Sequence, residues 1–335
     1  VTGRGVDGET GTGVAGASVS YQTDHGQTGT VATAADGSFS FSFTNDSRSD
    51  AYVVDATASA PGYVTTRLGG APVRPAGHAI ESIQLVRTRQ VDDGAIHGSV
   101  LDVRNGQAVA GASVRLEAGQ GAATLGPVAA VTGDAQGRYS FSGLAAGTYT
   151  VVAHAAGYLL GKRSAITVSG GAVRAQDVGL SPVESGPVVR IVLNWGQTPA
   201  DLDAHLTGPQ AGGAAGRFHV SWQDRLGAET PPYAGLDRDD QDGHGPETIT
   251  VTRLNGGVYR YSVRDFTNGA AASPQELGRS GASVQVFVAG RTHTFHVPVA
   301  PGNLWTVFEM AGDIAEPVIT EVGQMRTTSD ADAIP

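Results

Sequence analysis

The chain has 335 residues, 48 of them glycine, with no cysteine and a single lysine, Lys162. A formal net charge of −10 leaves no basic face for nucleic acid, and the missing cysteine excludes a disulfide framework, a cysteine–zinc site and a thiol nucleophile. Apolar residues, at 40%, suffice for packed cores, the glycines lack the G-X-Y period of collagen, and the length predicts two or three domains.

The chain opens inside a strand pattern, Val1–Asp7, without a signal peptide, so a processed product is expected. Val14-Ala-Gly-Ala-Ser-Val19 then returns 95 residues later as Val109-Ala-Gly-Ala-Ser-Val114. Pro61-Gly-Tyr63 and Ala156-Gly-Tyr158 keep that offset, as do Leu85 and Leu180, while Asp36–Phe41 and Gln136–Phe141 are 100 apart. Two copies of one domain follow, differing in loop length at polar and glycine-rich places. Within each copy apolar residues alternate, as in Phe39, Phe41 and Phe43 or Tyr149, Val151 and Ala153. Short alternating runs broken by turn residues such as Asp36-Gly37 predict antiparallel sandwiches. Tyr139–Gly161 is uncharged and long enough for a membrane span. Its counterpart in the first copy carries Asp46, Arg48, Asp50 and Asp55, so the segment reads as two strands and a turn.

The order of these elements, from the first strand through VAGASV, the DG turn and the A-x-GY element to Leu85 or Leu180, resembles the carboxypeptidase regulatory-like domain. The resemblance covers about residues 1–88 and 95–182. It implies a transthyretin-like seven-stranded sandwich serving as an accessory or structural module without its own active site. Some relatives form Lys–Asn isopeptide bonds. The first copy has no lysine, and Lys162 in the second is expected on a solvated loop.

A linker, Ser181–Val188, ends the repeat. Beyond it Val189, Ile191, Leu193 and Trp195 share a strand face, and alternation recurs at Ile249 and Val251, at Tyr259, Tyr261 and Val263, and at Val284, Val286 and Val288. A third antiparallel β domain is expected over residues 188–322, followed by a polar tail, 325–335, so the whole chain is predicted to be all-β, three consecutive β-sandwiches.

Two acidic groups stand out in this third segment. Asp201-Leu-Asp203 follows the Trp195 strand, and Asp237 to Glu247 holds five carboxylates and one arginine. So much like charge in one loop is unfavourable without a screening cation, and calcium takes six to eight hard oxygens, often from Asp-rich loops. The spacing is not that of an EF-hand, because Asp242 occupies the position that needs glycine. Asp201, Asp203, Asp237, Asp239 and Asp242 are the expected Ca2+ ligands, with Asp240 and Glu247 as secondary candidates and carbonyls near Gly243 completing the shell. The competing reading is a solvated acidic loop. The order LNWG, DLDAHLTGP, LDRDDQDGHGPETITV, GGVYRYSVRDF and LWTVFEM is similar to the YfaP-type domain of bacterial secreted and surface proteins, which implies a cell-surface β-sandwich and no chemistry.

Other signals are weak. Gly3–Gly8 fits G-x-G-x-x-G, but on a strand. His293 and His296 would point to opposite faces of a strand. Trp195, Trp222 and Trp305 could form a sugar platform, yet two of them sit in strand patterns. No catalytic residue and no organic cofactor is assigned. The expectation is a non-enzymatic bacterial protein, extracellular or on the cell surface, or alternatively periplasmic. Its role would be structural, adhesive or filament-forming, with self-association through edge strands or termini. The alternative is a carbohydrate-binding or substrate-docking accessory protein of a secreted hydrolase system, with a glycan as a candidate ligand.

Overall fold

The computed structural model describes residues 1–44, 52–73, 79–89, 92–121, 126–171, 173–183, 186–196, 198–241, 243, 245–269, 271, 274–298, 300–329 and 334. The chain is all-β, with six sheets among the described residues, and divides into two compact units. One comprises Val1–Leu101 and Ala108–Leu180, the other Asp102–Gln107 and Ser181–Pro335.

The first unit holds both copies of the repeated motif. Their larger sheets have the same order. In the first, Thr28–Ala32, Ser18–Thr23, Tyr52–Ser59 and Thr66–Val73 lie side by side; in the second, Pro127–Thr132, Ser113–Ala118, Gly147–His154 and Gly161–Val168 do. Val19 sits between Val31 and Ala58, and Val114 between Val131 and Ala153. Both valines are fully buried, because every second residue of a strand faces the core. The sheets are not wholly antiparallel. Thr2–Asp7 runs parallel to Ile83–Arg87, and Val173–Ala175 parallel to Gly94–Asp102. The whole module separates the paired strands in sequence, which supplies the long crossover a parallel pair requires.

The two copies also share a sheet. Gln120–Gly121 adds in parallel to Thr66–Val73, with Gln120 opposite Leu68 and Gly121 opposite Gly69. The Gln120 side chain is completely buried and bonds the backbone of Ser82 and Gln84, while Thr148 Oγ1 donates to the Gln84 carbonyl at 2.7 Å. Gly121 has φ +97°, and a Cβ there would lie 2.3 Å from the Gly69 carbonyl oxygen, so the contact needs glycine. Lys162 is not on a loop. It lies in strand Gly161–Val168 and its Nζ donates to the Gly121 carbonyl at 2.9 Å. The adjoining polar pattern Gly161-Lys-Arg-Ser had masked a half-buried lysine whose burial lowers its pKa.

In the second unit a six-stranded sheet contains Leu226–Gly227, Ala234–Arg238, Glu247–Val251, Val189–Asn194, Ser283–Val288 and Arg291–His296 in that order. A five-stranded sheet contains Arg217–Val220, Leu202–Pro209, Tyr259–Asp265, Leu304–Ala311 and Val318–Arg326. All these pairings are antiparallel. The core between the sheets includes Ile191, Leu193, Trp195, Leu206, Ile249, Tyr261, Val286, Trp305 and Phe308. Residues 325 and 326 do not belong to a free tail. Met325 pairs with Trp305 and Arg326 with Leu304, and Thr328 accepts and donates hydrogen bonds with Asn303. An edge strand with one solvated face alternates into polarity, and that hid the strand end. Among the described residues no helix is long and apolar enough to cross a membrane.

Candidate metal centre

The site forms at one pole of the second unit, where three chain segments are fixed by neighbours outside the cluster. Trp195 Nε1 donates to the Pro199 carbonyl at 3.0 Å and shapes the approach to Asp201. Asp201 N–H donates to Thr267 Oγ1 at 2.9 Å, which ties that approach to the end of strand Tyr259–Asp265. The third segment enters through Gly245-Pro246. Gly245 has φ +66°, and a Cβ would lie 2.9 Å from the Trp195 ring, so only glycine brings the chain past the indole into strand Glu247–Val251.

Asp201, Asp203 and Glu247 each offer a carboxylate oxygen, and these atoms lie within 4.8 Å of one another. Asp203 is 3% exposed and its Oδ2 has no hydrogen-bond partner; Asp201 Oδ1 is also buried without one. Glu247 Oε2 accepts from the Ala204 N–H at 2.7 Å. Asp239 is hydrogen-bonded to the Glu247 carboxyl, and its Oδ2 accepts from Arg225 at 2.8 Å.

Burial pushes the Asp201 carboxyl up to about 6, and the charges of Asp239, Asp240 and Asp265 add to it. Burial, then Asp201 and Asp239, push Asp203 up to about 7 against the pull of Arg264. Glu247 is raised well above the usual carboxylate range, chiefly by burial, and Asp203 and Asp239 contribute. The protein has therefore gathered carboxylates whose negative charge its own cations do not neutralise. A divalent cation would reverse each of these shifts. At calcium–oxygen distances of about 2.3–2.6 Å a single ion can reach carboxylate oxygens gathered within 4.8 Å of one another.

Of the five residues expected from sequence, Asp201 and Asp203 meet and Asp239 adjoins them. Asp237 is excluded. Strand Ala234–Arg238 bulges so that Leu236 faces Ile249 and Arg238 faces Thr248, leaving Asp237 as the extra residue. Its Oδ2 accepts instead from Thr250 Oγ1. Asp242 lies outside the described residues. Glu247, a secondary candidate from sequence, is central, and its register with Ile249 and Val251 was the signal that it points inward. Asp240 bonds Arg238 at 2.9 Å. Of the aromatic platform, Trp195 and Trp305 are core residues and Trp222 is exposed.

Residues 95–181 match the carboxypeptidase regulatory-like domain family. No curated protein matches the chain. Among solved structures, a double mutant of the shaft pilin SpaA from Lactobacillus rhamnosus GG is 14% identical over 52% of this chain and 87% of its own, at a TM-score of 0.23. GBS52, the minor pilin of Streptococcus agalactiae, is 13% identical over 52% of this chain and 86% of its own, at 0.24. The Bacillus anthracis TIE protein is 13% identical over 88% of this chain and 47% of its own, at 0.24. Likenesses of this degree carry no argument about function.

Proposed function

We propose that this chain is a non-enzymatic structural protein of the bacterial exterior whose last sandwich is stabilised by calcium. The observation that carries the calcium reading is Asp203: a buried carboxylate with an unpartnered oxygen, facing two further carboxylates within coordination reach. Asp201, Asp203 and Glu247 would be the ligands, with Asp239 beside them. The cation would tie together the approach to strand Leu202–Pro209 and the loop that enters strand Glu247–Val251.

Three features support the structural role. The family matched at 95–181 is one of accessory modules, and we read 1–88 as a second such domain and 188–322 as YfaP-type. The shared sheet makes the first unit a stiff pair in place of two tethered beads. Strands Thr28–Ala32 and Val318–Arg326 are sheet edges, whose open backbone groups give a route to self-association. Isothermal titration with calcium and with magnesium tests the site. One calcium-selective binding event per chain is expected, and equal heats for the two ions would reject it.

A further inference from the structure

The second unit has a groove that shares no residue with the acidic cluster. Edge strand Arg217–Val220, the turn that follows it and Pro231-Pro232 enclose about 490 Å³, within the roughly 300–1,000 Å³ typical of small-ligand sites. Gln210, Arg217, His219, Gln223 and Asp224 supply its polar lining, and Leu226 with the two prolines supplies apolar surface.

Part of the polar lining is held in place. Arg217 donates to the Val258 carbonyl and to Thr207 Oγ1, both at 3.0 Å. His219 Nε2 lies 2.9 Å from His205 Nδ1. The turn closes with Ser221 N–H donating to the Asp224 carbonyl at 3.0 Å, and Arg225 anchors it to Asp239. Such fixed groups lower the ordering cost of binding.

We propose that this groove binds a neutral saccharide. The lining holds one guanidinium, Arg217, and one carboxylate, Asp224, so the groove has no excess charge, and the chain's net −10 disfavours a polyanion. Gln210 and Gln223 each both donate and accept, as a sugar hydroxyl does. Proline and leucine surfaces suit the C–H face of a pyranose. Trp222, between Ser221 and Gln223, stands beside this site. It packs edge-to-face on Phe266 at 5.8 Å, and the pair, 38% and 47% exposed, are the only exposed Phe, Tyr or Trp residues among the described residues. Neither ring lines the groove itself, and the pair offers ring stacking to a glycan long enough to pass beyond it.

Native affinity electrophoresis of the whole chain through gels containing laminarin, soluble xylan, galactomannan or dextran tests this, with and without chelator. At least one polymer is expected to retard the protein, equally in chelator, and its oligosaccharides to shift Trp222 emission. Gln223→Ala and Gln210→Ala, both at solvent-accessible positions, should each weaken binding about tenfold while leaving the melting temperature unchanged. Retardation by none of the four polymers overturns the proposal. So do unchanged affinity in both variants and retention of a neutral peptide library in place of the polymers. Loss of retardation in chelator alone would move the ligand to the acidic pole and overturn the assignment to this groove.

Discussion

Gln120 completes the backbone of Gln84 across the boundary between the two copies. Its Oε1 accepts from the Gln84 N–H at 2.8 Å, and its Nε2 donates to the Ser82 carbonyl at 2.7 Å. The side chain does for these groups what a neighbouring strand would do, in a place where water cannot. Gln120→Ala leaves both backbone groups unsatisfied, each at a cost of about 1–3 kcal/mol. Calorimetry should resolve the single transition of the first unit into two, and one unchanged transition would show that the splice does not couple the copies.

Calcium should raise the melting temperature of the second unit alone. At a free concentration tenfold above the dissociation constant the gain is about 1.4 kcal/mol, or roughly 3–6 °C for a domain of this size. Asp203→Asn should abolish the gain, and in chelator the variant should melt no lower than the unsubstituted protein, since an uncompensated buried charge is gone. Asp237→Asn should keep the gain, because that carboxylate faces Thr250. A calcium response lost in Asp237→Asn and kept in Asp203→Asn would reverse the assignment.

The first unit should lose stability as pH rises toward neutrality. Burial pushes the Glu81 carboxyl up to about 7 from 4.5, and Ser164 and Lys162 only partly oppose this. The folded state therefore binds the Glu81 proton more tightly than the unfolded chain. Its contribution is complete below 4.5 and is lost as pH climbs through about 7. Glu81→Gln should flatten the melting temperature of that unit across this window, and an unaltered slope would assign the dependence elsewhere.

Val114→Asp places an unpaired charge between Val131 and Ala153, at a cost of about 3 kcal/mol or more. Loss of the circular dichroism signal of the first unit is expected, with the second unit still folded. Wild-type melting would mean that Val114 is not in the core.

Deleting residues 325–335 removes the Met325–Trp305 and Arg326–Leu304 pairs and the bonds between Thr328 and Asn303. The truncated second unit should melt several degrees lower. A melt unaffected by the deletion would restore the reading of this segment as a free tail.

Much of the fold was legible because alternation reports burial directly. Phe39 and Phe41, Ile249 and Val251, and Tyr259, Tyr261 and Val263 all occupy the cores that their spacing implied. The acidic pole was legible as composition, yet its membership was not. A bulge is a register event between two strands, so nothing local to Asp237 announces that it turns away while Asp239 stays. Glu247 looked like one acid among five until its strand neighbours fixed its direction. The splice was invisible for a similar reason: Gln120 sits in a polar, glycine-rich stretch, and its role exists only when Leu68, Ser82 and Gln84 are beside it.

The position of Lys162 gives the chain a built-in gauge. It carries the only ε-amine in the sequence, and that amine is engaged with the Gly121 carbonyl at the splice. An acylating reagent directed at lysine therefore has one side-chain target. Its labelling rate reports how often that amine leaves the Gly121 carbonyl, without any engineered probe.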